Sequence, residues 1–149
     1  MKRIVLISSI IFTSFAGSVC AQDIAQSQVP SPVLKSFQLK FPQAMDVEWE
    51  MKGNLYNVDF ETGALGTDHE AWYEKSGKLV KHTEEISAAS LPKQVSSKVN
   101  SDYGKYRIKD VKKITEGQKI TYTMELKSSK EEWKVAYDSQ GRQLSKIAD

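Results

Sequence analysis

The 149-residue chain has one cysteine, two histidines and four prolines. The single cysteine, Cys20, lies in a leader-like start, so a chain processed behind it carries no thiol. That excludes disulfides, thiol catalysis and cysteine-ligated metal, and leaves packing to supply the stability. His69 sits in Asp68-His69-Glu70, but neighbours along a strand point to opposite faces, so the three cannot readily share an ion. His82, beside Lys81, reads as a solvated residue after a strand. No HExxH helix, EF-hand loop, GxSxG elbow, SxxK motif or glycine-rich phosphate loop occurs. Glu48 and Glu50 share a strand face as a glycosidase pair does, but a solvent-facing strand gives the same alternation. The expectation is a protein without catalytic residues, metal or cofactor.

What is present begins with an export signal in residues 1–21. Lys2 and Arg3 form its basic end, residues 4–15 its apolar stretch, and Val19 and Ala21 the small side chains before a cut that leaves Gln22 first. Ser8, Ser9, Thr13 and Ser14 interrupt a run already shorter than the about 20 apolar residues of a membrane span. A lipid anchor on Cys20 is disfavoured, because Gly17-Ser18-Val19 lacks the leucine and the small residue that lipoprotein signals place before the cysteine. Periplasmic or secreted location follows.

Removing residues 1–21 leaves 128, enough for one domain, with 19 basic and 19 acidic side chains. The neutral total hides a division: residues 22–90 carry 6 basic and 11 acidic groups, residues 91–149 carry 13 and 8, or −5 against +5. Opposed halves of this kind steer a bipolar partner, or a second copy head to tail, and also attract each other within one fold. The densest basic stretch, KYRIKDVKK at 105–113, reads as a solvated strand face; export and neutrality argue against nucleic acid.

Along the exported part the same order of events occurs twice. VPSPVLKSFQLKF and LPKQVSSKVNSDY align Pro30 with Pro92, Val33 with Val95, Phe37 with Val99 and Phe41 with Tyr103, a spacing of four that marks one helix face. Proline suits a first helical turn, and Pro42 and Gly104 stop the two helices. The period then falls to two. Val47, Trp49 and Met51 alternate with acids, and Tyr56, Val58 and Phe60 alternate with Asn57, Asp59 and Glu61, across a turn at Lys52-Gly53-Asn54. Ile120, Tyr122, Met124 and Leu126 repeat the pattern, and the hairpins AWYEKSGKLV and VAYDSQGRQL match Tyr73 with Tyr137 and Gly77 with Gly141. The expected fold is α+β: a flexible segment at 22–28, then two units at 29–90 and 91–149, linked through 84–90. Each unit is a short helix followed by a three- or four-stranded antiparallel sheet.

The order VP, V, F and FPQA running into Val47-Glu48-Trp49-Glu50, then YNVDF, a Gly-centred hairpin and LP again, resembles the PepSY-like family of small secreted bacterial proteins, also described as β-lactamase-inhibitor-like. The resemblance spans nearly all of residues 29–144. It implies a β-lactamase-inhibitor-protein-like fold, no enzymatic activity, and a periplasmic binding or inhibitory module; Lys113 stands where Trp49 would repeat. The expected function is non-catalytic binding of a protein or peptide through the sheet faces, with inhibition of a peptidase or other hydrolase as its specific form. A hydrolase with an unrecognised site and an envelope-structural or stress protein are the alternatives. The partner-binding candidates are Trp72, which faces outward if Tyr73 faces the core, with Glu70, Glu74, Asp59 and Lys134. A monomer or weak homo-oligomer is expected, with no membrane span.

Overall fold

The computed structural model describes residues 22–148, so the leader, Cys20 and the expected cleavage site lie outside the described residues. Two helices and nine strands follow one another as β1 (Gln22–Asp23), α1 (Ser31–Lys40), β2 (Met45–Lys52), β3 (Leu55–Thr62), β4 (Thr67–Tyr73), β5 (Leu79–Glu85), α2 (Lys93–Tyr103), β6 (Arg107–Glu116), β7 (Lys119–Lys127), β8 (Glu132–Asp138) and β9 (Gln143–Ala148). Pro30 and Pro92 cap the helix starts at φ near −55°, the value the pyrrolidine ring already fixes. Val33 and Phe37 of α1, and Val95 and Val99 of α2, are the buried positions, which is the four-residue spacing written in both segments.

The strands differ from the expectation in one respect. They form one nine-stranded antiparallel sheet in sequence order rather than two sheets. The joint is β5 against β6, with His82 opposite Thr115 and Glu85 opposite Lys112. Pairing there satisfies two rows of backbone groups that would otherwise be open edges. Residues 84 and 85 therefore belong to β5, and the link is shorter than 84–90. Residues 22–28, expected as flexible, hold β1, which pairs Gln22 with Met51 and Asp23 with Glu50, and a 3-10 turn at Gln26–Gln28.

The pairing registers recur at a constant offset. Trp49 opposes Val58 and Lys113 opposes Tyr122, 64 residues on; Trp72 opposes Lys81 and Ala136 opposes Ser145, again 64 on. Both β2 and β6 carry a bulge in which an aspartate takes the left-handed region, Asp46 at φ 49° and Asp110 at φ 47°. In both hairpins that end the halves, a glycine at positive φ lies against a helix start. A Cβ on Gly77 would stand 2.5 Å from the Pro32 carbonyl oxygen, and one on Gly141 2.6 Å from that of Gln94. Only glycine allows that approach.

Both helices lie on one face of the sheet. Beneath α1, Val29, Val33 and Phe37 meet Trp49, Val58, Phe60, Ala71 and Tyr73. Beneath α2, Val95 and Val99 meet Val111, Tyr122, Met124, Leu126, Val135 and Tyr137. Trp49 is 4 % exposed and meets the Phe37 ring edge-on at 5.3 Å. Among the described residues the opposite face carries no helix.

Candidate functional site

On the helix-free face the first half builds a cluster around Trp72. Because Tyr73 is fully buried on the helix side, its neighbour Trp72 must point the other way. There it stands opposite Asn57 of β3 and Lys81 of β5. The ring is half-buried rather than open, since the Lys52 ammonium lies 5.0 Å and the Lys81 ammonium 5.4 Å from its centroid. Each contact of this kind is worth about 0.5–1 kcal/mol at an exposed site.

Charge on this face is organised through Lys52. Its Nζ lies 3.0 Å from Glu50 and 3.6 Å from Glu70. Burial works against its charge, but the Glu50 hydrogen bond together with the Glu50, Glu70 and Asp59 charges outweighs it and holds the ammonium above its ordinary pKa. Asp59 lies directly opposite Glu70. Partial desolvation, then the Glu70 carboxylate, pushes the Asp59 carboxyl up, with Lys52 opposing. Asn57 is fully buried, and its Nδ2 donates to Glu70 Oε1 at 3.2 Å and to the Ala71 carbonyl at 3.4 Å. Its Oδ1 and the Trp72 Nε1–H are both buried without a protein partner. The Trp49 Nε1–H and the Tyr73 hydroxyl on the helix side share this lack of a protein partner, and such unmade hydrogen bonds are costly inside a fold.

Of the five expected site residues, Asp59, Glu70 and Trp72 come together. Glu74 follows β4 at the turn, where it pairs with Lys78 at 3.6 Å. Lys134 lies on the same face but on β8, four strand spacings of about 4.8 Å from β4, or roughly 19 Å, and pairs with Glu125 at 3.6 Å. Around it the face is hollow: a depression of about 460 Å³ is bordered by Lys112, Thr123, Lys134, Ala136, Ser145 and Ile147. Ala136, opposite Ser145 where the first half sets Trp72 opposite Lys81, leaves that space unfilled. Sequence reasoning missed Asn57, Lys52 and Lys81. A lone asparagine among strand apolar residues was the available signal for the first; the lysines were placed by cross-strand pairing, which no local pattern displays.

The helix side holds a second polar group, and it corrects the expectation for His82. His82 is not a solvated residue after a strand; it lies within β5, and His69 of β4 stacks on it at 5.3 Å and 10°. His69 Nδ1 and His82 Nε2 are 3.1 Å apart, and His69 Nε2 is 2.8 Å from Thr62 Oγ1. Phe60 stacks on His69 at 5.0 Å and Phe41 closes on His82 at 4.9 Å. Burial, then His69, Lys40 and Lys113 against an opposing Glu84, lowers the His82 pKa to about 4; burial lowers that of His69 against Glu84 and Asp68. Two facing nitrogens share one proton, so the pair is a neutral polar plug in an aromatic cluster. Among the described residues no group of three or more His, Cys, Asp or Glu side chains is arranged to hold a metal ion, and no helix is long and apolar enough to cross a membrane.

Several solved structures from Bacteroides share this architecture. A DUF2874 family protein from Bacteroides ovatus superposes with a TM-score of 0.68 at 18% identity, covering 80% of this chain and 86% of its own. A BLIP-like protein from Bacteroides fragilis gives 0.67 at 19% identity over 80% and 86%. A protein from Bacteroides eggerthii described as one of the "putative periplasmic proteins" gives 0.70 at 14% over 80% and 88%. At such identities the likeness is one of fold. No curated protein matches the chain by sequence. The family model described as "Putative beta-lactamase-inhibitor-like, PepSY-like" matches residues 19–81 and again 54–145. A match over that much of the sequence makes the chain a member of the PepSY-like family.

Proposed function

We propose that the protein is a non-catalytic periplasmic binding module that grips a protein or peptide partner with the helix-free face of its sheet. The observation that carries this is the face itself: both helices pack on one side, and the other presents Trp72 among Lys52, Lys81, Glu70 and Asp59. Tryptophan is among the residue types enriched in binding hot spots, which sit inside a polar rim. The hollow at Ala136 beside Lys134 offers the partner a recess on the basic half. Two like units, 29–90 and 91–149, generate this face, as the recurring registers suggest. Export behind Ala21 delivers the module to the compartment named for the B. eggerthii relative. Inhibition of a hydrolase is the form of binding that the family description and the BLIP-like relative favour.

The test is a pull-down from periplasmic extract with the parent and with Trp72→Ala. One stoichiometric protein retained by the parent and lost by the folded variant supports the proposal. Equal retention by both, or turnover of hydrolase substrates by the purified chain, overturns it.

A further inference from the structure

The sheet is open at both ends, and its two edges are shaped to fit each other. We infer that β9 of one molecule docks on β2 of a second copy, extending the sheet head to tail, and that β1 is the removable strand that blocks this joint. The inference rests on treating the chain as two like units, and its template is inside the molecule. β5 is the last strand of the first half and β6 the first strand of the second, and they pair with His82 opposite Thr115 and Thr83 opposite Ile114. Shifted by the 64-residue offset, β9 corresponds to β5 and β2 to β6. The same register would set Lys146 opposite Met51 and Ile147 opposite Glu50 of the next molecule. Those are the two residues that β1 covers, Gln22 on Met51 and Asp23 on Glu50. The N-terminal strand thus occupies the place that the internal joint gives to β5.

The covering strand is weak and the opposite edge is ready. β1 is two residues long, both exposed, and it sets Asp23 against Glu50, a like-charge pair that destabilises cross-strand pairing. Beyond it the Ile24 N–H donates to the Trp49 carbonyl at 3.0 Å. Among the described residues β9 has β8 as its one neighbouring strand, so its other side is a sheet edge, the usual template for strand addition. It exposes Leu144 and Ile147, the latter 62% open. Charge selects the orientation. The joint would set the basic half, residues 91–149 with +5, against the acidic half of the next molecule, residues 22–90 with −5, the same two halves that meet at β5 and β6, where Glu84 lies 3.6 Å from Lys113. The contact is heterologous, so it propagates into chains rather than closing as a dimer.

Sedimentation velocity over a range of concentrations tests this with the exported protein. The parent should run as a monomer. Ile24→Pro removes the hydrogen bond that anchors β1 and should produce a concentration-dependent series of species at one, two, three and more chain masses. Adding Ile147→Glu, which would face Glu50 of the neighbour, should return it to the monomer. A folded Ile24→Pro protein that stays monomeric, or one whose association ignores Ile147→Glu, overturns the inference. Should Ile24→Pro fail to fold, trapping replaces it: Glu50→Cys with Ile147→Cys, in a Cys20→Ala background from which Gln22 and Asp23 are deleted so that β1 no longer covers Glu50, should give a ladder on a non-reducing gel. Asp59→Cys with Ile147→Cys is the control away from the edge. No ladder, or the same ladder from the control, refutes the joint. None of these outcomes bears on partner binding through Trp72.

Discussion

Acid should weaken this protein through a pair of residues with no part in its binding face. His82 ordinarily titrates near 6.5, but burial and the facing His69 hold its pKa at about 4. The unfolded chain therefore binds a proton at about pH 6.5 that the native state refuses until about pH 4. The folded pKa of a base is depressed, so the stability is complete above about pH 6.5 and is lost as the pH falls through that window. A fully buried group with this shift would contribute about 3.4 kcal/mol. His82 is only half-buried, and solvent screening reduces the figure to about 1–2 kcal/mol. His82→Phe keeps an aromatic ring against Phe41 and removes the titration. Urea unfolding of parent and variant at about pH 7 and about pH 4.5 should show the parent losing that 1–2 kcal/mol in excess. Carboxylates such as Asp59 and Asp138 titrate in both proteins and cancel in the double difference. The same loss in both would refute the reasoning, and would mean that the His69–His82 hydrogen bond survives protonation.

Four further outcomes are expected. Trp49→Ala empties a site against Phe37 and Tyr73 and should cost about 3–5 kcal/mol, read as a collapse of the melting temperature; an unchanged midpoint would place Trp49 outside the core. Gly77→Ala pushes a Cβ to 2.5 Å from the Pro32 carbonyl at φ 87°, and calorimetry should show a loss of about 1–3 kcal/mol. Gly53→Ala, with nothing within 4 Å, should cost less. Trp72→Ala should leave the circular dichroism spectrum intact and weaken partner binding by at least about 2 kcal/mol; titration calorimetry with the retained partner checks it, and undiminished affinity would move the site elsewhere. Mass spectrometry of the protein from its host should find Gln22 first and no lipid, whereas a diacylated Cys20 would overturn the expected cleavage after Ala21.

The sequence by itself determined the two helices and the inner faces of most strands. Val33, Phe37, Val95 and Val99 lie one helical turn apart, and Trp49, Val58 and Phe60 stand on alternate strand positions; both periods are local properties of the backbone, so each residue's side of its element was written in its neighbours. The outward direction of Trp72 followed from the same parity once Tyr73 was placed inside. Local periodicity carries no information about which strands meet. That β5 pairs with β6, merging the expected two sheets into one, was decided by edge backbone groups that find their partners only when both halves are folded. The same holds for the histidines. His69 and His82 are 13 residues apart in sequence, and only β4–β5 pairing, with Phe41 arriving from the end of α1, turned His82, expected as solvated, and His69 into a stacked pair with lowered pKa values. Lys52 and Lys81 reached Trp72 from strands on either side of it, so the candidate site's charge is a product of register. Side-chain alternation is fixed within a strand, whereas a site assembled across strands exists only after the chain has closed on itself.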